Sequence, residues 1–159
     1  MQAVKGNGTM ASLLTNPYAL HDGHGKKLQV SGTAVCVMAT SEQTAGAFNL
    51  FEVACLPGYA TPLHIHYGED VAVYVLEGAL TIYWGADKQA AAAGSYFYQP
   101  RGTPHGFQVA GRTPARLLCL AIPAGLDRFV VEQDQLAASP DPVTAAARYK
   151  IEILGPLPE

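Results

Sequence analysis

The stretch GYATPLHIHYGEDVAVYVLEG, from Gly58 to Gly78, decides how this chain folds. It opens at Pro57-Gly58 and closes at Glu77-Gly78, both turn signals. Between them His64 and His66 stand two apart, and Val71, Val73 and Val75 repeat at the same spacing. Side chains at a spacing of two share one face of a strand. The segment therefore reads as two strands with a turn between them.

Similar bursts of apolar, β-branched and aromatic residues lie on both sides: Leu28–Met38, Ala47–Leu56, Ala79–Trp84, Ser95–Gln99, Gly106–Val109 and Ala115–Ile122. Gly and Pro clusters separate them, among them Gly85-Ala86-Asp87, Pro100-Arg101-Gly102 and Gly111-Arg112-Thr113-Pro114. Many short strands at this spacing indicate a sandwich or barrel. Ala90–Ala93 reads as a turn-flanking stretch. Past Pro123, Phe129, Val130 and Leu136 recur at roughly helical spacing, so a helix is expected over Asp127–Ala137. Ser139-Pro140-Asp141-Pro142 breaks it, and Asp141 can cap a second helix over Pro142–Tyr149. Ile151–Pro158 reads as extended. The expected organisation is an N-terminal arm over 1–27, an all-β barrel over 28–123 and a helical extension over 124–159 packed on the barrel.

Bulk properties narrow the function classes. A length of 159 residues suits one domain, and 14% charged residues is low for a helical bundle. A net charge of −3 offers no basic stripe for nucleic acid. No apolar run approaches the ~18 residues that span a membrane, and Met1–Met10 has no secretory apolar core. Cys36, Cys55 and Cys119 are odd in number and sit in apolar runs, where Cys acts as a small hydrophobe. A reducing, cytoplasmic location is the expectation.

Two imidazoles on one strand face can grip one metal, and a strand pairing would bring His105 beside them. The spacing by itself fits a solvated His-x-His face equally well. A second ordered string changes the balance: Gly94, five residues, Pro100-Arg101-Gly102, two residues, His105. With Gly58, five residues, His64-Ile65-His66 and the closing Gly78, it resembles the paired motifs of the cupin superfamily. The fifteen residues between Gly78 and Gly94 resemble the short intermotif region of single-domain members. Thr44–Phe48 and Ala147–Pro156 resemble the quercetin 2,3-dioxygenase-like branch.

The resemblance implies a cupin barrel, a double-stranded β-helix or jelly roll, holding one divalent transition metal on His64, His66 and His105. It favours Fe or Ni, with Zn, Cu, Co or Mn open. It implies a metal-dependent dioxygenase acting on a small phenolic or enolisable compound. A non-catalytic small-molecule binding protein and a metal-assisted isomerase or cyclase are the alternatives. No acid or base is assigned. A homodimer is implied, with no nucleic-acid or membrane partner.

One departure stands out. Cupins usually supply a fourth ligand, a Glu seven residues before the closing glycine, and here that place is Val71. Glu69 and Asp70 stand just before it. Alternation puts Glu69 on the face of Val71, and a bulge would turn Asp70 inward; the preferred reading has both facing solvent or a turn. Three neutral imidazoles leave the ion its full charge, and proton competition is expected below about pH 6.5. Tyr59, Val71, Val73, Val75, Phe97 and Phe107 are expected either to line an apolar pocket or to be barrel packing. His21 and His24, in a Gly-rich loop, are expected at the surface.

Overall fold

The structure, a computed structural model, describes residues 16–136 and 141–159. Residues 16–25 carry no helix or strand, and residues 1–15 of the anticipated arm lie outside the described part. Eleven strands follow, with two helices between the tenth and the last. They are β1 Lys26–Val30, β2 Thr33–Ala39, β3 Asn49–Cys55, β4 Leu63–His66, β5 Asp70–Glu77, β6 Ala79–Trp84, β7 Asp87–Ala92, β8 Tyr96–Gln99, β9 His105–Val109, β10 Ala115–Ile122, α1 Leu126–Gln135, α2 Pro142–Ala147 and β11 Ile151–Gly155.

The strands make two antiparallel sheets, in the order β1-β2-β3-β10-β5-β8 and β11-β4-β9-β6-β7. Their inward faces enclose one core that includes Val75, Leu80, Ile82, Cys55 and Leu117, each no more than 1% exposed. Alternation accounts for it: along β5, Val71, Val73 and Val75 point inward while Tyr74 points out. This is the all-β jelly-roll barrel with few helices that the sequence led us to expect. Gly78, which closes the opening motif, has φ 78°. A Cβ there would lie 2.5 Å from the Pro114 carbonyl oxygen, so only glycine fits the β5–β6 corner.

Three elements differ from the sequence reading. The run Leu28–Met38 is a hairpin, because Ser31 and Gly32, at φ 51° and 79°, form a two-residue turn between Val30 and Thr33. Ala90, Ala91 and Ala92 form the second half of β7, paired residue for residue with β6. The extension over 124–159 is not helical throughout: where Ile151–Pro158 reads as extended the chain forms β11, and what the sequence did not show is that β11 pairs with β4, setting Ile151 opposite His66 and Ile153 opposite His64. α1 stops at Gln135, and Ala137 lies outside the described residues. α2 is shorter than expected, but its cap is as read, with the Asp141 carboxylate accepting from Val143 and Thr144 N–H at 3.1 Å each.

A buried amide fixes α1 over the barrel. Asn49, fully buried at the start of β3, accepts from Gly125 N–H at 2.9 Å and Asp127 N–H at 3.2 Å. Its own NH₂ donates to the Ala39 carbonyl at 3.3 Å. Asp127 accepts in turn from Ser41 N–H at 2.8 Å. The bond from Asp127 N–H satisfies one donor in the first turn of a helix whose N-cap, Gly125, has no side chain to offer. No helix among the described residues is long and apolar enough to cross a membrane.

Candidate metal centre

β4 lies between β9 and β11. That arrangement sets His64 directly opposite His105 across the β4–β9 ladder, while His66 follows on the same face of β4. The ring centroids are 4.5 Å apart for His64 and His105, 5.0 Å for His64 and His66, and 5.4 Å for His66 and His105. One ring nitrogen from each lies within 4.8 Å of the others. No other cluster of this kind occurs among the described residues.

Each ring is held from behind through Nδ1. His64 Nδ1 is 2.8 Å from the Pro62 carbonyl oxygen, and His105 Nδ1 is 2.8 Å from that of Thr103. His66 Nδ1 is 2.6 Å from Glu69 Oε1. All three partners are acceptors, so each neutral ring carries its proton on Nδ1 and leaves the Nε2 lone pair free. Three such lone pairs on converging rings suit a divalent transition ion. Protonation does not compete at neutral pH for two of them. Burial, and then the neighbouring rings, push His64 down to about 3. Burial, and then His66, push His105 down to about 4. The proton competition expected below about pH 6.5 is therefore shifted to lower pH for these rings.

The two carboxylates beside β4 have separate places, and neither joins the imidazole cluster. Glu69 does not face solvent: it is 6% exposed and grips the back of His66. A carboxylate there fixes the ring's orientation and tautomer. Asp70 points the other way. It accepts from Arg101 Nε at 2.9 Å, Nη2 at 3.1 Å and the backbone N–H at 2.9 Å, and Arg101 holds its carboxyl well below the usual range. With Gly102 N–H donating to the His66 carbonyl at 2.7 Å, this ties the loop before His105 to the start of β5. Val71, where a cupin commonly has its Glu, is 8% exposed in the core.

His64 and His66 face a cavity of about 410 Å³. Of the six expected pocket residues only Tyr59 lines it. Val71, Val73, Val75 and Phe97 are barrel packing, and Phe107 packs against that core with its ring 6.0 Å from Tyr59. The other walls come from Val30 and Ser31 at the β1–β2 turn, from Thr61 and Pro62 before β4, and from the chain end: Phe129 and Gln133 of α1, Val143 and Ala146 of α2, and Ile151 and Ile153 of β11. The Ile-Glu-Ile alternation of β11 was a legible sign of an inward face; which site it faced was not. Gln133 Nε2 is shielded from water and has no hydrogen-bond partner among the described residues, a state that costs about 1–3 kcal/mol.

A jelly-roll barrel with three converging, back-anchored imidazoles defines a class of small β-barrels suited to binding a metal. Residues 51–121, a little under half of the chain, match the family described as Cupin domain, and the fold is similar to that of the cupin superfamily. Over 93 residues it is 29% identical to quercetin 2,3-dioxygenase of Bacillus subtilis, covering 58% of this chain but only 28% of that protein's length. Among solved structures, the polyketide cyclase RemF from Streptomyces resistomycificus is similar, with a TM-score of 0.59 and 24% identity over 67% of this chain and 80% of that one. KdgF from Halomonas sp. is similar with a TM-score of 0.63 and 19% identity, over 71% of this chain and 99% of that one. These two likenesses speak to the fold.

Proposed function

We propose that this protein is a metal-dependent dioxygenase acting on a small phenolic or enolisable compound, with His64, His66 and His105 as the metal ligands. The observation that carries the reading is the set of three Nδ1-anchored imidazoles, two of which, His64 and His66, line a largely apolar cavity. The partial similarity to a quercetin 2,3-dioxygenase supports the reaction class. Iron or nickel is the preferred ion. When bound, the ion supplies Lewis acidity and redox chemistry at the cavity wall.

The protein's own residues do the rest. The donor set adds no negative charge, so the centre favours a substrate that arrives as an anion, such as a phenolate or enolate. Glu69 keeps His66 in one tautomer and one orientation. Tyr59, Phe129, Val143 and Ile153 give the substrate an apolar surface and exclude water around it. The cavity orients the substrate's reactive edge toward β4.

One specific observation favours a second reading. Val71 in place of the usual Glu is compatible with a cupin that binds a small molecule without turnover. A homodimer is part of the proposal, since strands β1, β8, β7 and β11 end the sheets and a second copy would cover one of these edges. So is a cytoplasmic location, consistent with three unpaired cysteines.

The test is metal content of the untagged protein by elemental mass spectrometry, beside His64→Ala and His105→Ala, followed by oxygen uptake with phenolic and diketone substrates. About one Fe or Ni per chain, lost in both variants, with metal-dependent oxygen uptake, is the expected result. Turnover that persists without oxygen would transfer the site to isomerase or cyclase chemistry. Absence of metal even after reconstitution would leave the binding module.

A further inference from the structure

We propose that Gln133 is the specificity residue of the cavity, and that its amide NH₂ selects ligands carrying an oxygen acceptor on the side facing α1. The inference rests on reading this cavity as the substrate site. Gln133 and Phe129 are one helical turn apart on the same face of α1, and both line the cavity. Buried amides are normally paired. The other buried amide on this side of the barrel, Asn49, is engaged through both its oxygen and its nitrogen. The flanking polar residues of α1 are engaged as well. Glu132 accepts from Arg148 and Tyr149, and Asp134 accepts from Gln29 N–H at 2.7 Å. Gln133 Nε2 is buried beside the cavity without a partner among the described residues.

The chemistry of the partner follows. The hydroxyl-bearing residues Ser31, Tyr59 and Thr61 belong to the other walls; on the side made by Phe129, Val143, Ala146 and Ile153, Gln133 is the polar residue, and its NH₂ donor rewards a carbonyl, enolate or phenolate oxygen there and penalises a hydrocarbon edge. The imidazoles cannot serve that acceptor in the metal-free protein. Their Nδ1 protons are engaged by Pro62, Glu69 and Thr103, and what faces forward is a lone pair. The ligand class is thus an apolar body with two oxygens, one directed to the histidines on β4 and the other to Gln133 on α1.

A matched pair of probes tests this without metal or turnover. 1-Tetralone and tetralin share a bicyclic skeleton, and only the first has an acceptor. Each is titrated into full-length protein in chelator at about pH 7.5, where His64 and His105 are neutral, with binding followed by NMR. The readout is the ratio of the two dissociation constants. In Gln133→Leu the tetralone preference relative to wild type is expected to fall about tenfold, with tetralin binding held or improved. Gln133→Glu, which keeps the length and removes the donor, should lose the preference too and carries the test if the Leu variant fails to fold. A ratio unchanged within about twofold in a folded variant, or no binding of either probe to wild type, overturns the assignment. Metal content measured on the same preparations separates the two readings. Metal present with an unchanged ratio removes only Gln133, whereas a shifted ratio without metal removes only the dioxygenase.

Discussion

His64 and His105 face each other as a registered pair across the β4–β9 ladder, 41 positions apart in the chain and with ring centroids 4.5 Å apart. A cross-strand pair of this kind is built by the barrel before any ion arrives. Removing either ring should therefore remove metal without unfolding the protein. His64→Ala and His105→Ala are each expected to fall to background metal content while circular dichroism keeps the β signature. Wild-type metal content in both variants would end the three-imidazole assignment.

The same apposition makes the metal-free protein sensitive to acid. Both folded-state values are depressed, to about 3 for His64 and about 4 for His105, from an ordinary value near 6.5. Between about pH 4 and pH 6.5 the unfolded chain binds protons that the folded chain does not, so stability rises with pH across that window and falls as pH drops through it. Urea unfolding in chelator at pH 4.5, 5.5 and 7.5 should show this loss. A His64→Gln, His105→Gln double variant should show a shallower profile, and parallel profiles would contradict the account.

In the proposed site Glu69 acts through His66, whose ring it holds by Nδ1. Glu69→Ala is expected to weaken metal binding about 10- to 100-fold in a chelator competition, the range typical for a carboxylate behind a ligating histidine. Glu69→Gln keeps an acceptor for Nδ1 and loses the charge, so its defect should be smaller. Equal affinity in wild type and Glu69→Ala would leave the carboxylate a purely structural role.

Asn49→Ala removes the acceptor for Gly125 and Asp127 N–H inside the protein. A loss of about 1–3 kcal/mol is expected from the stranded donors. Hydrogen exchange should accelerate over residues 126–135 more than in β5 or β10. Uniform acceleration across the barrel would show that Asn49 supports the core and not the helix.

The barrel was legible because its corners are marked in the chain: Gly78 sits where no side chain fits, and the turn ahead of His105 is spelled out as Pro100-Arg101-Gly102. The imidazole cluster was legible for the same reason, since these corners set the register that brings His105 to β4. β7 was not, because it carries a strand's alternation only through Ala91, the one buried residue of six. The β1–β2 turn was hidden because Ser31 adopts a positive φ that serine seldom signals. Glu69 was misread because its burial follows from a partner three residues back, the Nδ1 edge of the His66 ring, which strand alternation does not reveal. Apart from Tyr59, the cavity walls lay beyond reach because α1 and α2 come to the site by tertiary packing and the pairing of β11 with β4 is not marked in the local spacing.

The seating of β11 beside β4 has a consequence for redesign. The imidazoles sit on a scaffold written between Leu63 and Val109, while Phe129, Gln133, Val143 and Ile153 all follow Pro123. The ligand cluster and about half of the cavity wall are thus encoded in different tracts of one chain, the rest of the wall coming from Val30, Ser31, Tyr59, Thr61 and Pro62 ahead of the histidines. Transplanting a foreign tail that preserves the β11 pairing would change the guest and keep the anchorage, turning this barrel into a chassis for diversification.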